Sequence, residues 1–147
     1  MGIFKNNNAD GGARFERQLA KLFRRMGYHV RTTAGSNDHG ADLILRKRRK
    51  RIAVQAKCYS KPVGNSAVQE VFAAKAFYDC TDAWVVTNSS FTPAAKQQAG
   101  PCNVRLVDGR SLERMRVRAA TRTWLPAILV LAFVAGITAL LVQWSAA

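Results

Sequence analysis

Acidic residues are scarce in this chain: 9 Asp and Glu stand against 23 Lys and Arg, leaving a net charge of +14. Such an imbalance points to a polyanionic partner, either nucleic acid or an anionic membrane surface. Cysteine is equally thin. Cys58, Cys80 and Cys102 form an odd set without close pairs, which argues against a disulfide framework and against a Cys-x-x-Cys zinc site. A reducing, cytoplasmic setting is expected for the soluble part, with Cys58 as a buried small hydrophobe on the apolar face of its strand. His39 has no second His or Cys nearby, so a plain loop role is expected for it, with substrate contact as the lesser reading. The first ten residues have no apolar run and therefore do not read as a signal peptide. Asn6 stands where a myristoylation motif needs Ser or Thr. A length of 147 residues suits one domain of moderate size rather than two.

The segments that are present alternate between two periods. Phe15, Leu19, Leu22, Phe23 and Met26 recur at helical spacing, predicting a helix over 11–26 capped by Asp10 and ended by Gly27. Tyr28 to Thr33 reads as a short strand, and 34–40 as a polar loop. A turn around Pro62 precedes a helix over 66–78 that carries Val68, Val71, Phe72, Lys75 and Phe77. Ala83 to Thr87 is nearly continuous in apolar character, as in a strand covered on both faces. Pro93 opens a short helix through Ala99. Val104 to Val107 is a further strand, ended by a turn at Asp108-Gly109. Helices alternate with strands, so the fold class is α/β with a mixed β-sheet flanked by helices.

The stretch from Asp42 to Lys57 predicts two strands joined by a charged hairpin. Residues on a strand alternate faces. Leu43 and Leu45 then share one side with Ile52, Val54 and Ala56, while Asp42, Gln55 and Lys57 gather on the other. One carboxylate, one amide oxygen and one ammonium on a rigid sheet can hold a divalent cation and a phosphate. The hairpin itself reads Arg46-Lys47-Arg48-Arg49-Lys50-Arg51. Six adjacent cations repel one another, so phosphate contact is expected there beside the site, in preference to a merely solvated turn. Lys61 in the following turn is added to that set.

Beyond residue 124 the composition changes. Leu125 to Val142 contains no charged residue, and Trp124 and Trp144 flank it. A bilayer core needs about 20 apolar residues in a helix, and paired tryptophans suit the two interfaces. A single transmembrane helix is therefore expected over 124–144, after a basic juxtamembrane linker over 113–123 and before a short tail at 145–147. Arg114, Arg116, Arg118 and Arg122 precede it and no Lys or Arg follows. The expected orientation keeps the preceding domain in the cytoplasm, at a bacterial inner membrane, with the lipid bilayer as a partner. Ala132 with Gly136, and Ala135 with Ala139, offer a weak small-residue face through which a homodimer could form.

The chain resembles the Mrr-like restriction endonucleases, a branch of the PD-(D/E)xK nuclease superfamily, over about residues 11 to 112. The resemblance is carried by Phe15-Glu16, by Asp38-His39-Gly40-Ala41-Asp42 and by Gln55-Ala56-Lys57. It continues through Val63-Gly64, Val68-Gln69-Glu70, Val86-Thr87-Asn88-Ser89, Phe91-Thr92 and Ala94-Ala95. It implies a restriction-endonuclease-like core and hydrolysis of DNA phosphodiester bonds with Mg2+ or Mn2+. By the same resemblance Asp42 is the leading metal ligand, and Gln55 replaces the usual second acid as a neutral ligand. Lys57 activates or positions the attacking water, and Glu16 is a first-helix acid joining the metal site. Gln69 is a helix residue near the pocket, placed with the DNA-contacting set. The leading expectation is a membrane-anchored, metal-dependent DNA endonuclease. The alternative is a catalytically silent DNA-binding module that tethers DNA to the membrane, and a third reading is a protein whose basic surface faces anionic lipid.

Overall fold

The computed structural model describes residues 9–33 and 39–145, with side chains at all of these except 9, 10, 122–129, 132, 139, 140, 142 and 145. The order is α1 (Ala9–Arg25), β1 (His29–Thr32), β2 (Leu43–Lys47), β3 (Lys50–Lys57), α2 (Ser66–Phe77), β4 (Asp82–Thr87), α3 (Pro93–Ala99), β5 (Val104–Val107) and α4 (Gly109–Ser145). The five strands lie in sequence order in one sheet. β1, β2 and β3 are antiparallel to one another, and β3, β4 and β5 are parallel. The expected mixed sheet is present, and the parallel half follows from the α2 and α3 crossovers, which return the chain to its starting edge before each new strand.

Both faces of the sheet are covered. Leu43, Leu45, Ile52 and Val54 are at most 1% exposed, and so are Phe15, Leu19 and Phe23 of α1. Phe23 meets Trp84 of β4 edge-on at 6.0 Å, and Tyr28 packs against both rings at 6.0 and 6.3 Å. Each such ring pair adds about 0.5–1.5 kcal/mol beyond the area it buries. On the opposite face Ile44, Ala53, Ala83 and Val85 form one cluster with Ala67, Val68, Val71 and Ala74 of α2. Phe72 and Phe77 lie on the same helix, as expected, and are exposed, while small residues fill the close helix–sheet contact.

Helix ends differ from expectation in instructive ways. α1 already includes Asp10, so Asp10 lies within the helix rather than before it. Gly27 closes α1 with φ +83°, a conformation only glycine adopts freely. Thr92 caps α3 through a bond from the Ala95 amide at 3.2 Å, with Pro93 just inside the first turn. Asp108 does not end the chain's last strand in a turn but starts a helix: its Oδ1 accepts the Ser111 amide at 2.8 Å. Hydrogen bonds from Ser111 hold the Asp108 carboxyl below its usual range.

The chain divides into two compact units, one up to Arg114 and one from Met115. The linker expected over 113–123 is helical, part of the 37-residue α4. Among the described residues no helix is long and apolar enough to cross a membrane. The expected span over 124–144 is therefore unsupported by them. The described part of α4 opens with Arg110, Glu113, Arg114, Arg116 and Arg118. Much of its apolar part, including Trp124, Pro126, Ala132 and Ala139, has side chains outside the described residues, as does Arg122. Of the flexible tail expected over 1–10, residues 9 and 10 belong to α1 and 1–8 lie outside the described residues, as do 34–38 of the loop expected over 34–40, with Asp38.

Candidate active site

In the β2–β3 ladder Leu43 faces Val54 and Lys47 faces Lys50. One step before that register begins, Asp42 lies level with Gln55, and its amide donates to the Val54 carbonyl at 2.9 Å. Gln55 Nε2 donates to Asp42 Oδ2 at 2.7 Å, and the Ala56 amide donates to the same oxygen at 2.6 Å. Two donors on one carboxylate oxygen fix the Asp42 side chain. Gln55 is 4% exposed, and its Oε1 is buried with no hydrogen-bond partner among the described residues. Leaving such an acceptor unmet costs about 1–3 kcal/mol. The orphan oxygen sits beside a fixed carboxylate, an arrangement that suits a hard cation taking oxygen ligands.

Lys57 stands two residues further along β3, on the same face. Its Nζ is 2.8 Å from Glu70 Oε2 of α2, with the lysine side chain 19% exposed. Burial pulls its pKa down, but the hydrogen bond and charge of Glu70, with Tyr59 and Asp42 behind them, outweigh burial and raise it above lysine's ordinary 10.5. Lys57 is therefore an ammonium at neutral pH, a donor and a positive charge rather than a base. Glu70 was not singled out by the sequence, where Gln69 was. Gln69 is exposed, and the neighbouring acid is the one aimed at β3. The signal available was helical spacing: Ala67, Val71 and Ala74 face the sheet, which puts position 70 on the flank of that stripe.

The surroundings are braced from the parallel side of the sheet. Thr87 of β4 is paired with Lys57 in register and is fully buried. Val63 bridges to Phe91, and the Tyr59 amide donates to Asn88 Oδ1 at 2.8 Å. The loops after β3 and β4 are thereby tied together at the Lys57 end. Lys61 is exposed within them.

The remaining expected site residues lie on other elements or at the hairpin end of β2 and β3. Glu16 is half-buried on α1, which packs on the sheet face opposite α2. The charges acting on Lys57 come from Glu70, Tyr59 and Asp42. The basic run is not beside the site. Asp42 precedes β2 and Lys57 ends β3, whereas Arg48 and Arg49 form the turn joining these strands. The level of Arg46 and Arg51 is thus about 13 Å from Asp42, at ~3.3 Å per residue. His39 stacks on Phe77 at 3.9 Å. Cys58 is half-buried just past β3, and Cys80 is the buried thiol. Among the described residues no group of three or more His, Cys, Asp or Glu could hold a metal, so a cation here would draw on the Gln55 amide oxygen as well as on carboxylates.

Residues 9–116 match the Mrr_cat family, whose description is restriction endonuclease. Among solved structures, the chain resembles the DNA modification-dependent restriction endonuclease AspBHI at 20% identity and a TM-score of 0.62, covering 83% of this chain and 36% of that one. The protein of unknown function AF1548 matches at 20% identity and a TM-score of 0.54, over 63% of this chain and 55% of that one. MspJI restriction endonuclease, solved in complex with a 27-mer oligonucleotide, matches at 21% identity and a TM-score of 0.47, over 68% and 25%. This chain thus spans about a third of AspBHI and about half of AF1548. No curated protein matches it. The fold shared with AspBHI and the match across most of the chain lead to one assignment: the protein belongs to the Mrr_cat family of restriction endonucleases, with a restriction-endonuclease-like nuclease domain over residues 9–116.

Proposed function

We propose that the chain is a metal-dependent DNA endonuclease held at a membrane. The observation that carries the catalytic part is the orphan Gln55 Oε1 beside the doubly hydrogen-bonded Asp42 carboxylate, with the Lys57 ammonium on the same face. Asp42 and Gln55 would hold Mg2+ or Mn2+, and Glu16 is proposed as a further acid. A divalent ion bound there supplies Lewis-acid stabilisation of the phosphoryl oxygens and lowers the pKa of a bound water.

The protein's own part follows from the geometry. Asp42 is immobilised by two donors, so its orientation costs little entropy during the reaction. Lys57 has three N–H donors, of which Glu70 engages one. The others are free to donate to a phosphoryl oxygen or to orient water as charge builds in the transition state. Water adds to phosphorus, one P–O ester bond breaks, and a phosphomonoester and a hydroxyl result. Full-length protein in neutral detergent should cleave duplex DNA with Mg2+ or Mn2+ and lose that activity in excess chelator. Cleavage unaffected by chelator would sink the metal mechanism. Binding without cleavage under both metals would leave the DNA-tethering module as the better reading.

The anchoring part rests on sequence. Residues 125–142 carry no charge. The described side chains of this stretch support the reading, since Val130, Leu131, Phe133 and Val134 are each more than half exposed. That much bare apolar surface on a helix is unfavourable in water. The arginines before the segment favour a cytoplasmic nuclease domain. The full-length protein should stay in the membrane pellet through high-salt and alkaline washes. Release by salt alone would mean a peripheral, charge-held protein.

A further inference from the structure

α2 stops at Phe77, before the hairpin end of the sheet, and the face it covers continues beyond it. Arg46 and Arg51 lie on that face, in register with one another, and His29 of β1 is in register with Arg46. The result is a cleft of about 1100 Å³. It is lined by Arg31, Arg46 and Arg51 of the strands, by the Arg48-Arg49 turn and by Asp79 to Thr81. Seven Lys and Arg side chains line it against one acid, Asp79. Asp42, Gln55 and Lys57 are not part of it.

Like charges set directly opposite each other across two strands destabilise the pair. The nearby cations that the fold itself employs are accounted for. Lys47 Nζ donates to the Met26 carbonyl at 2.6 Å and lies 4.8 Å from the Tyr28 ring centre. Lys50 reaches Asp82 at 3.7 Å, in solvent. Arg46, Arg48 and Arg49 make no ion pair among the described residues. The facing pair of Arg46 and Arg51 is therefore a cost that the fold does not offset internally, and an incoming polyanion removes it.

We propose that this cleft is a second phosphate-backbone site, gripping duplex DNA away from the bond that is cut. It rests on the nuclease reading for its class of ligand. Guanidinium groups dominate the lining, and their planar forks match phosphate oxygens two at a time. The cleft is concave, which suits a single sugar-phosphate strand better than a planar layer of lipid headgroups. About 13 Å along the strands (~3.3 Å per residue) corresponds to about 4 base pairs at 3.4 Å rise. The contact is with backbone and carries no base readout.

The test is the salt dependence of binding of an uncleaved 40-base-pair duplex to the full chain in chelator and neutral detergent. Arg46→Gln with Arg51→Gln should lower the slope of log affinity against log salt by about 2, since each lost phosphate contact removes about 0.9. The apo melting temperature of that variant should stay level or rise, because the opposed charges are gone. Arg14→Gln with Arg17→Gln on α1, neither of which lines the cleft, should change the slope by less. A slope loss no greater than that of the α1 pair overturns the proposal. So does an unchanged DNA slope accompanied by lost retention of phosphatidylglycerol in the micelle, which would make the cleft a lipid site. Because the reading is taken on intact duplex without metal, absence of cleavage activity leaves it interpretable.

Discussion

Lys57→Ala and Asp42→Asn each abolish DNA cleavage in the expected result, while both proteins still bind duplex DNA within a few-fold of wild type. Removing one preorganised donor to transition-state charge costs about 10²–10³ in rate, which sets the floor for Lys57→Ala. Asp42→Asn should cost at least as much, because the amide removes the charge that would hold the cation and replaces one of the two carboxylate oxygens by a donor. Binding is spared because scattered cations supply it. Glu70→Gln separates positioning from chemistry. The amide still accepts a hydrogen bond from Lys57, but the attraction that raises its pKa is lost, and burial then pulls that pKa down. The alkaline limb of the cleavage profile should therefore move to lower pH, with a smaller loss at neutrality than for Lys57→Ala. The measurement is single-turnover cleavage with Mg2+ across pH, beside binding in chelator. Near-normal turnover in Lys57→Ala would remove that residue from the site. An unshifted alkaline limb in Glu70→Gln would mean that the protonation state of Lys57 does not govern the rate.

Much of this site was legible because strand geometry is simple. A period of two puts Asp42, Gln55 and Lys57 on one side of β2 and β3 whatever packs above them, and the structure brings Gln55 within 2.7 Å of Asp42. The same counting contained the location of the basic run. Asp42 and Lys57 are the far ends of two strands that a turn at Arg48-Arg49 joins, so the turn must lie at the other end. Charge alone suggested closeness to the site; register decides against it. What the sequence could not show was the height of α2 over the sheet. Glu70 becomes Lys57's partner only because the crossover after Lys57 sets the first turns of α2 over the end of β3. Asp108-Gly109 was ambiguous for a different reason. Aspartate before glycine satisfies turn chemistry and helix-capping chemistry alike, and only the Ser111 amide on Asp108 Oδ1 tells them apart.

Gly40→Ala should damage both stability and catalysis, because that residue meets two constraints at once. Its φ is +85°, and a Cβ built there would lie 2.5 Å from the Glu70 carbonyl oxygen and 2.8 Å from its carbon. The left-handed conformation alone costs an L-residue about 1–2 kcal/mol. The clash adds overpacking, about 1–3 kcal/mol more. Neither side can yield cheaply. The Glu70 oxygen is main chain of α2, whose Ala67, Val68, Val71 and Ala74 are at most 1% exposed against the sheet. On the other side Ala41 is fully buried and the Asp42 amide is tied to Val54. Whichever side moves carries a site residue with it, Glu70 with the helix or Asp42 with the loop. Since 1 kcal/mol shifts the melting point of a domain near 100 residues by about 4–8 °C, a fall on the order of 10 °C or more is expected by near-ultraviolet circular dichroism. Cleavage assayed well below the new melting point should still be lost by more than tenfold, because the Asp42–Glu70 spacing has changed. Gly64→Ala is the control: it sits beside the same site end, with nothing within 4 Å of the added carbon, and should leave melting nearly unchanged. Equal, small effects from the two substitutions would show that the loop before Asp42 is not wedged against α2, and that the site does not depend on that contact.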